Sequence, residues 1–412
     1  MSGQPQVSIL MPLLNQACFL REALDSILAQ SHSDLELIVI DGASTDGSLG
    51  ILRDYAERDS RIRWSSAPDS GPAEAVNKAA REARGEVIGW LNSDDLYEPS
   101  AIEQALGYLR AHPDAMMVYG QAEVIDAEKR FLNKFPTKLP STPIDAFVDG
   151  CFICQPTVFM RRSAWIDSGE LIETLQTSFD LDLWLRVFKQ HQVRIGFIDR
   201  IQAYSRRHEA TITSRNRRKV ATEALMILKR HLDVTPIHWM LTHVEEIMEK
   251  HPDGSGESLH EKIASLMEEA STLMKEKDFL ELQRRVAADR RIALAGRHSF
   301  INVHPDGWAG PNLTARVDAR HVQGLKITGY SGLSAKSKHR LTTQAGERKP
   351  CSMRVRGEQP FEIMIATGMN TSISTSVIKI SSDKVFRPCE TELGSTDQRE
   401  LSIMVNACEE LT

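Results

Sequence analysis

Between residues 7 and 91 the chain switches repeatedly between two periodicities, and this alternation restricts the fold more than any other feature. The apolar runs VSILM (7–11), LELIVI (35–40), RIRW (61–64) and EVIGWL (86–91) are strand-length, and each is followed by a segment with helical spacing. In QACFLREALDSILAQ, Leu20, Leu24, Ile27 and Leu28 fall on one face, with Asn15 placed to cap the helix. In GPAEAVNKAAREA, Pro72 suits a first helical turn and Ala75, Val76, Ala79 and Ala83 form a narrow face that fits close against a sheet. Strands alternating with helices imply right-handed crossovers and a mainly parallel sheet, whose ligands bind at the carboxyl ends of the strands.

Two of those strand ends carry acidic loops, IDGASTDGS after 35–40 and NSDDLYEP after 86–91. Adjacent Asp94 and Asp95 repel each other unless a cation or a shared proton compensates. Asp95 could cap the helix that PSAIEQALGYL begins, which leaves Asp94 unexplained; a hard divalent cation, Mg²⁺ or Mn²⁺, accounts for both. In the other loop, Ser44 or Thr45 can cap the next helix with Asp46 in its first turn, and Asp41 is free to accept hydrogen bonds from a base or ribose.

The rest of the 412 residues changes character twice. From 236 to 289 Glu, Lys, Leu and Met dominate, and Leu259, Ile263, Leu266, Ala270 and Leu273 form a heptad-like stripe after a flexible HPDGSGES break. From 290 to 412, short runs such as LKITGY, SMRVRG and FEIMIATG between turn residues predict an all-β sandwich. The expected organisation is therefore an α/β domain over 1–235, a helical connector over 236–289 and a β domain over 290–412.

With a formal net charge of -6, the chain has no global attraction to nucleic acid. Six scattered cysteines and the start MSGQPQVSIL favour a reducing cytoplasm, and no apolar run is long enough to span a bilayer. The CFIC pair, Cys151 and Cys154, has metal-ligand spacing without a second pair, so a buried apolar pair is expected instead.

VSILMPLLNQACFL, IVIDGASTDGS, APDSGPAEAVNKA, GWLNSDDLYEP and CQPTVF followed by SFDLDLWLRV occur in an order that resembles a family 2 glycosyltransferase with the GT-A fold, over roughly residues 5–215. The resemblance implies inverting, metal-dependent transfer of a sugar from a nucleotide-diphosphate sugar to an acceptor hydroxyl, a glycan or a lipid-linked sugar, in surface polysaccharide or glycolipid assembly. It implies Asp94, Asp95 and His208 as metal ligands, with Asn92 replacing the first acid of the commoner Asp-x-Asp motif. It implies Pro12, Leu14 and Asp41 at the nucleotide, Asp69 and Asn77 near the donor, Gln155 at the acceptor side, and Arg206 or Arg207 at the leaving diphosphate. Asp180 is the expected general base and Asp182 the second choice.

The last segment resembles an accessory β-sandwich of bacterial polysaccharide glycosyltransferases, through Phe386, Pro388, Asp397, Arg399 and Leu401, where Asp397 and Arg399 are expected to form a structural clasp. The alternative is a nucleotide- or glycan-binding scaffold without transfer activity. Nucleotidyl transfer is disfavoured because PLLNQACF lacks a Gly-rich phosphate loop, and a dinucleotide oxidoreductase because no G-x-G-x-x-G follows the first strand. Contact with a membrane surface, through the basic run RNRRK, and self-association through the heptad-like stripe stay open.

Overall fold

The computed structural model describes residues 4–252, 255, 257–295, 298–318, 320, 322–346, 348–366, 376–385, 387 and 397–411. Contacts divide the chain into two compact units, Met1–Val234 and Thr235–Thr412.

In the first unit, β1 (Val7–Leu13), α1 (Ala17–Leu28), β2 (Leu35–Asp41), α2 (Ser48–Arg58), β3 (Ile62–Ser66), α3 (Pro72–Glu82) and β4 (Val87–Trp90) alternate as the periodicities predict. They continue through β5 (Leu96–Tyr97), α4 (Ala101–Ala111), β6 (Met117–Ile125), β7 (Phe131–Lys134), β8 (Phe159–Arg161), α5 (Arg162–Ser168) and α6 (Phe179–His191). The unit ends with β9 (Ile195–Arg206), α7 (Ile212–Arg215) and α8 (Arg217–Leu232). The sheet order is β3-β2-β1-β4-β8-β6-β9-β5, with β7 on β6. β3, β2, β1 and β4 are mutually parallel. The other half is mixed, because β8 runs antiparallel to both β4 and β6, whereas β6 and β9 are parallel.

Every residue of β1 and β2 is buried, as expected for strands covered on both faces. α1 supplies Leu20, Ala23, Leu24 and Ile27 to that core, and the small face of α3 packs on β1 and β2. At Gly89 in β4, a Cβ would stand 2.8 Å from Ile9 Cδ1 and 2.9 Å from both the Phe159 ring and the Tyr97 hydroxyl.

Both helix caps expected from sequence are corrected. Asn15 has φ 51° and its Oδ1 accepts from the Thr45 N–H, so it does not cap α1. The first N–H groups of α1 are met from the neighbouring loop, Gln16 N–H by Ser48 Oγ at 3.1 Å and Ala17 N–H by Asp46 Oδ2 at 2.9 Å. Ser44 receives the Asn15 N–H rather than capping α2, which starts at Ser48 after Gly47. The two loops are thus cross-tied, and that tie fixes the spacing between the ends of β1 and β2.

The second unit opens with α9 (His238–Lys250), α10 (Leu259–Leu273), α11 (Glu276–Ala288) and α12 (Arg290–Leu294). A Ser258–Glu261 capping box starts α10, whose buried Leu259, Ile263, Leu266 and Ala270 form the expected stripe. That helix packs on α9 and α11 of its own chain. β10 (His298–Val303), β11 (Trp308–Val317), β12 (Gly324–Ser331), β13 (Lys338–Ala345), β14 (Cys351–Arg356), β15 (Pro360–Ala366), β16 (Ser376–Ser382) and β17 (Ile403–Leu411) follow. All their described pairings are antiparallel, in the order β14-β13-β16-β11-β17-β12-β15 with β10 on β11. β13 also touches β15, so the sheet curls over one apolar core.

Arg399 forms the expected clasp, binding Asp397 through Nε at 3.0 Å and Asp306 through Nη2 at 2.7 Å. The nearby Leu401 is buried beside Leu333. Phe386 and Pro388 lie outside the described residues, as do residues 253, 254 and 256 of the expected break.

Gly89→Ala is expected to destabilise the protein by about 1–3 kcal/mol in urea unfolding, because three side chains must move to admit one methyl.

Candidate active site

The carboxyl ends of β1 and β4, together with the end of β9 and the start of α6, surround a cleft of about 720 Å³. Its floor is the turn after β4. Trp90 Nε1–H donates to Asn92 Oδ1 at 3.1 Å, and the Asn92 amide N–H groups donate to Asp95 Oδ2 at 3.3 Å and to Gln155 Oε1 at 3.1 Å. Gln155 in turn donates to the Trp90 carbonyl. An Asn at position 92 supplies two donors where an Asp would set a second carboxylate against Asp95.

Asp94 and Asp95 differ in their partners. Asp95 is 4% exposed, and its Oδ1 accepts the Arg206 backbone N–H at 2.7 Å. Burial, and after it the neighbouring charge of Asp94, raise its carboxyl well above the ordinary range. It therefore acts as a strut between the β4 turn and the end of β9; the cap on α4 belongs to Ser100. Arg206 completes the strut, with Nε on the Asp94 carbonyl at 2.8 Å, Nη1 on the Ala127 carbonyl and Nη2 on Glu22 at 2.6 Å. Its guanidinium also covers the Phe19 ring; Arg206 and Arg207 both line the cleft, Arg206 as a buried side chain.

Asp94 lines the cleft and meets His208 Nε2 through Oδ2 at 3.1 Å. The His208 ring is held against Phe19, 4.5 Å between centroids. Asp94 and Asp95 both line the cleft, each Asp95 oxygen accepting a hydrogen bond and Asp94 Oδ2 meeting His208, which is not among the lining residues. Among the described residues, no three His, Cys, Asp or Glu side chains form a ready-made cage. One carboxylate and one imidazole suit a cation whose remaining ligands are phosphate oxygens and water.

Across the cleft, Asp180 and Asp182 diverge in the same way. Residues two apart on a helix do not share a face. Asp180 lines the cleft, and its carboxyl is raised to about 6, first by burial and further by the charge of Glu223, against the Leu181 N–H that stabilises the anion. Asp182 is 1% exposed and absent from the cleft wall, bound by Arg186 Nε at 2.9 Å and His231 Nε2 at 2.8 Å. Although burial opposes it, these partners hold its carboxyl below the usual range. The second candidate base is thus an internal tie between α6 and α8.

On the remaining wall, Pro12, exposed Leu14 and Asp69 line the cleft. Burial raises the Asp69 carboxyl, which accepts the Gly71 N–H at 3.0 Å. Asp41 lies behind this wall, fully buried, its Oδ2 accepting from Ser44 N–H and from Ser66 Oγ at 2.7 Å, while its Oδ1 has no partner. Asn77 does not line the cleft; its amide clamps Leu171 through both the carbonyl and the N–H, each at 2.9 Å. Cys151 and Cys154 both line the cleft, with thiols pushed up by burial.

Sequence reading singled out the run 215–219 without placing it in the cleft, which Arg215 and Asn216 line, and missed the buried Glu223.

The family model described as "Glycosyl transferase family 2" matches residues 8–168. EpsE of Bacillus subtilis, named as a glycosyltransferase, is 32% identical over 195 residues, 46% of this chain and 69% of EpsE. The chain belongs to glycosyl transferase family 2. TuaG of the same organism, named for teichuronic acid biosynthesis, is 27% identical over 58% of this chain and 91% of TuaG. Residues 1–349 of S. aureus TarS, crystallised with UDP-GlcNAc, superpose with a TM-score of 0.50 at 17% identity, over 69% of this chain and 85% of that one. This likeness is one of fold. The chain spans between 28% and 66% of the length of its rickettsial relatives. Among the described residues no helix is long and apolar enough to cross a membrane.

Two stability measurements test these electrostatics. Asn92→Asp removes both amide donors beside Asp95 and is expected to cost about 1–3 kcal/mol at pH 8, with the loss shrinking on acidification. Asp180→Asn is expected to raise the melting temperature at pH 8. A carboxyl raised to about 6 in the fold and ordinary when unfolded loses stability as pH rises between those values, so the gain fades as pH falls towards 4.

Proposed function

We propose that this family 2 protein is an inverting, metal-dependent glycosyltransferase that moves a sugar from a nucleotide-diphosphate sugar to an acceptor hydroxyl of a bacterial surface polysaccharide or glycolipid. The observation that carries this reading is that one cleft is lined by both a strand-end carboxylate, Asp94, and a helix-start carboxyl, Asp180, tuned towards neutrality. The names of EpsE and TuaG support the reaction class, and the UDP-GlcNAc in the TarS crystal supports a nucleotide sugar as donor.

In this reading Asp94 and His208 hold Mg²⁺ or Mn²⁺, which would neutralise charge on the departing diphosphate. Arg207 and Arg215 add positive charge on the same wall. Pro12 and Leu14 flank the nucleotide, and the unpartnered Oδ1 of Asp41 is the acceptor on that side for a base or ribose N–H or O–H. Asp69 and Gln155 bound the sugar and acceptor side. Asp180 accepts the proton of the acceptor hydroxyl as that oxygen attacks the anomeric carbon, and the nucleoside diphosphate leaves from the opposite face. A carboxyl near 6 is ionised at pH 7 yet basic enough to take part in proton transfer.

A panel of nucleotide sugars, assayed for nucleotide release with and without Mn²⁺, tests the proposal. At least one donor should show Mn²⁺-stimulated hydrolysis. Asp94→Asn and Asp180→Asn should each lower it by roughly 10²-fold or more. Asp182→Ala, whose partners lie outside the cleft, should affect stability more than rate. No release from any donor, together with metal-independent glycan binding, would favour the scaffold instead.

A further inference from the structure

Glu223 belongs to none of the segments that resemble the family, yet it is the most heavily hydrogen-bonded acid behind the cleft. It is 7% exposed in the middle of α8. Its Oε1 accepts the Gln176 N–H at 2.8 Å, and its Oε2 accepts the Thr177 N–H at 2.9 Å, the Thr177 hydroxyl at 2.7 Å and the Ser178 N–H at 3.0 Å. Three successive backbone N–H groups thus converge on one carboxylate immediately before α6. Ser178 is the N-cap of that helix and makes no side-chain cap of its own. Among the described residues no ion pair neutralises Glu223.

We propose that Glu223 is a positioning residue for Asp180, fixing the 176–178 segment and the first turn of α6 so that the Asp180 carboxyl is held at the cleft. The inference rests on the assignment of Asp180 as general base made above. The segment before a helix is where N–H groups lack intrahelical partners, and a carboxylate that collects them fixes the helix start as firmly as a cap. Asp180 lies two residues beyond Ser178, so any slack in this segment moves its carboxyl directly. Among the described residues, the Leu181 N–H binds Asp180 directly, and the thiols of Cys151 and Cys154 and the Glu223 carboxylate of α8 interact with it electrostatically. Asp182 points away and is already paired. Glu223 is therefore the charged side chain of another element that acts on Asp180.

The test combines a titration with kinetics. Protein labelled with ¹³C at aspartate carboxyls, with Asp180→Asn providing the assignment, is titrated for the parent and Glu223→Gln. Initial rates of nucleotide release are followed in parallel with whichever panel donor the parent hydrolyses fastest. In Glu223→Gln the Asp180 midpoint should fall by roughly half a pH unit, and kcat should fall about tenfold with donor KM within about twofold. Glu223→Asp keeps the charge, so its midpoint should stay near that of the parent while kcat drops. A midpoint and kcat in Glu223→Gln equal to the parent's would overturn the inference. If Glu223→Gln does not fold, Thr177→Val removes one of the four bonds and should lower kcat by roughly threefold without changing KM; an unchanged kcat would overturn it. Failure of the underlying reading shows differently, as Asp180→Asn hydrolysing donor at the parental rate.

Discussion

The bond from the Arg206 backbone to the buried Asp95 carboxylate organises the catalytic end of the first unit. It joins the turn after β4 to the end of β9, two chain segments more than a hundred residues apart. A carboxyl group this deep is costly, and it is retained because the alternative leaves the buried Arg206 N–H and an Asn92 amide N–H without acceptors. With Asp95 committed inward, Asp94 is turned to the cleft, and His208, two residues beyond Arg206, is delivered to it. Asn92 follows from the same constraint, because the group beside Asp95 must donate rather than accept.

The same division recurs on α6. Its two aspartates are separated by about 200° around the helix axis, so one meets the cleft and the other meets Arg186 and His231. In each acidic pair one member holds the scaffold and the other is left for chemistry. Of the α6 pair only Asp180 reaches the cleft, whereas Asp94 and Asp95 both line it.

Much of this architecture was legible in the sequence. Period changes located the parallel half of the first sheet, because buried strands and amphipathic helices differ in spacing. The strand-end acids were legible for the same reason. What the sequence hid were long-range partners: Asp46 meeting the start of α1, Asp95 meeting Arg206, Asn77 meeting Leu171, Asp182 meeting His231. In each case a short polar side chain had a plausible local use, and a tertiary contact won. In the second unit β13 escaped notice because His339 and Thr343 take buried positions that usually carry apolar residues, masking the alternation. Glu223 gave no signal at all, being one acid in the middle of an ordinary amphipathic helix.

The central claim is that Asp94 is the free carboxylate of its pair and the protein's principal hold on a metal-bound diphosphate. Its most direct measurement is Mn²⁺ binding, followed through the electron paramagnetic resonance signal of free Mn²⁺, with UDP and GDP added in turn. Asp94→Asn is expected to weaken nucleotide-dependent Mn²⁺ binding at least about tenfold while the melting temperature stays at the parental value. Parental Mn²⁺ affinity in Asp94→Asn would contradict the account.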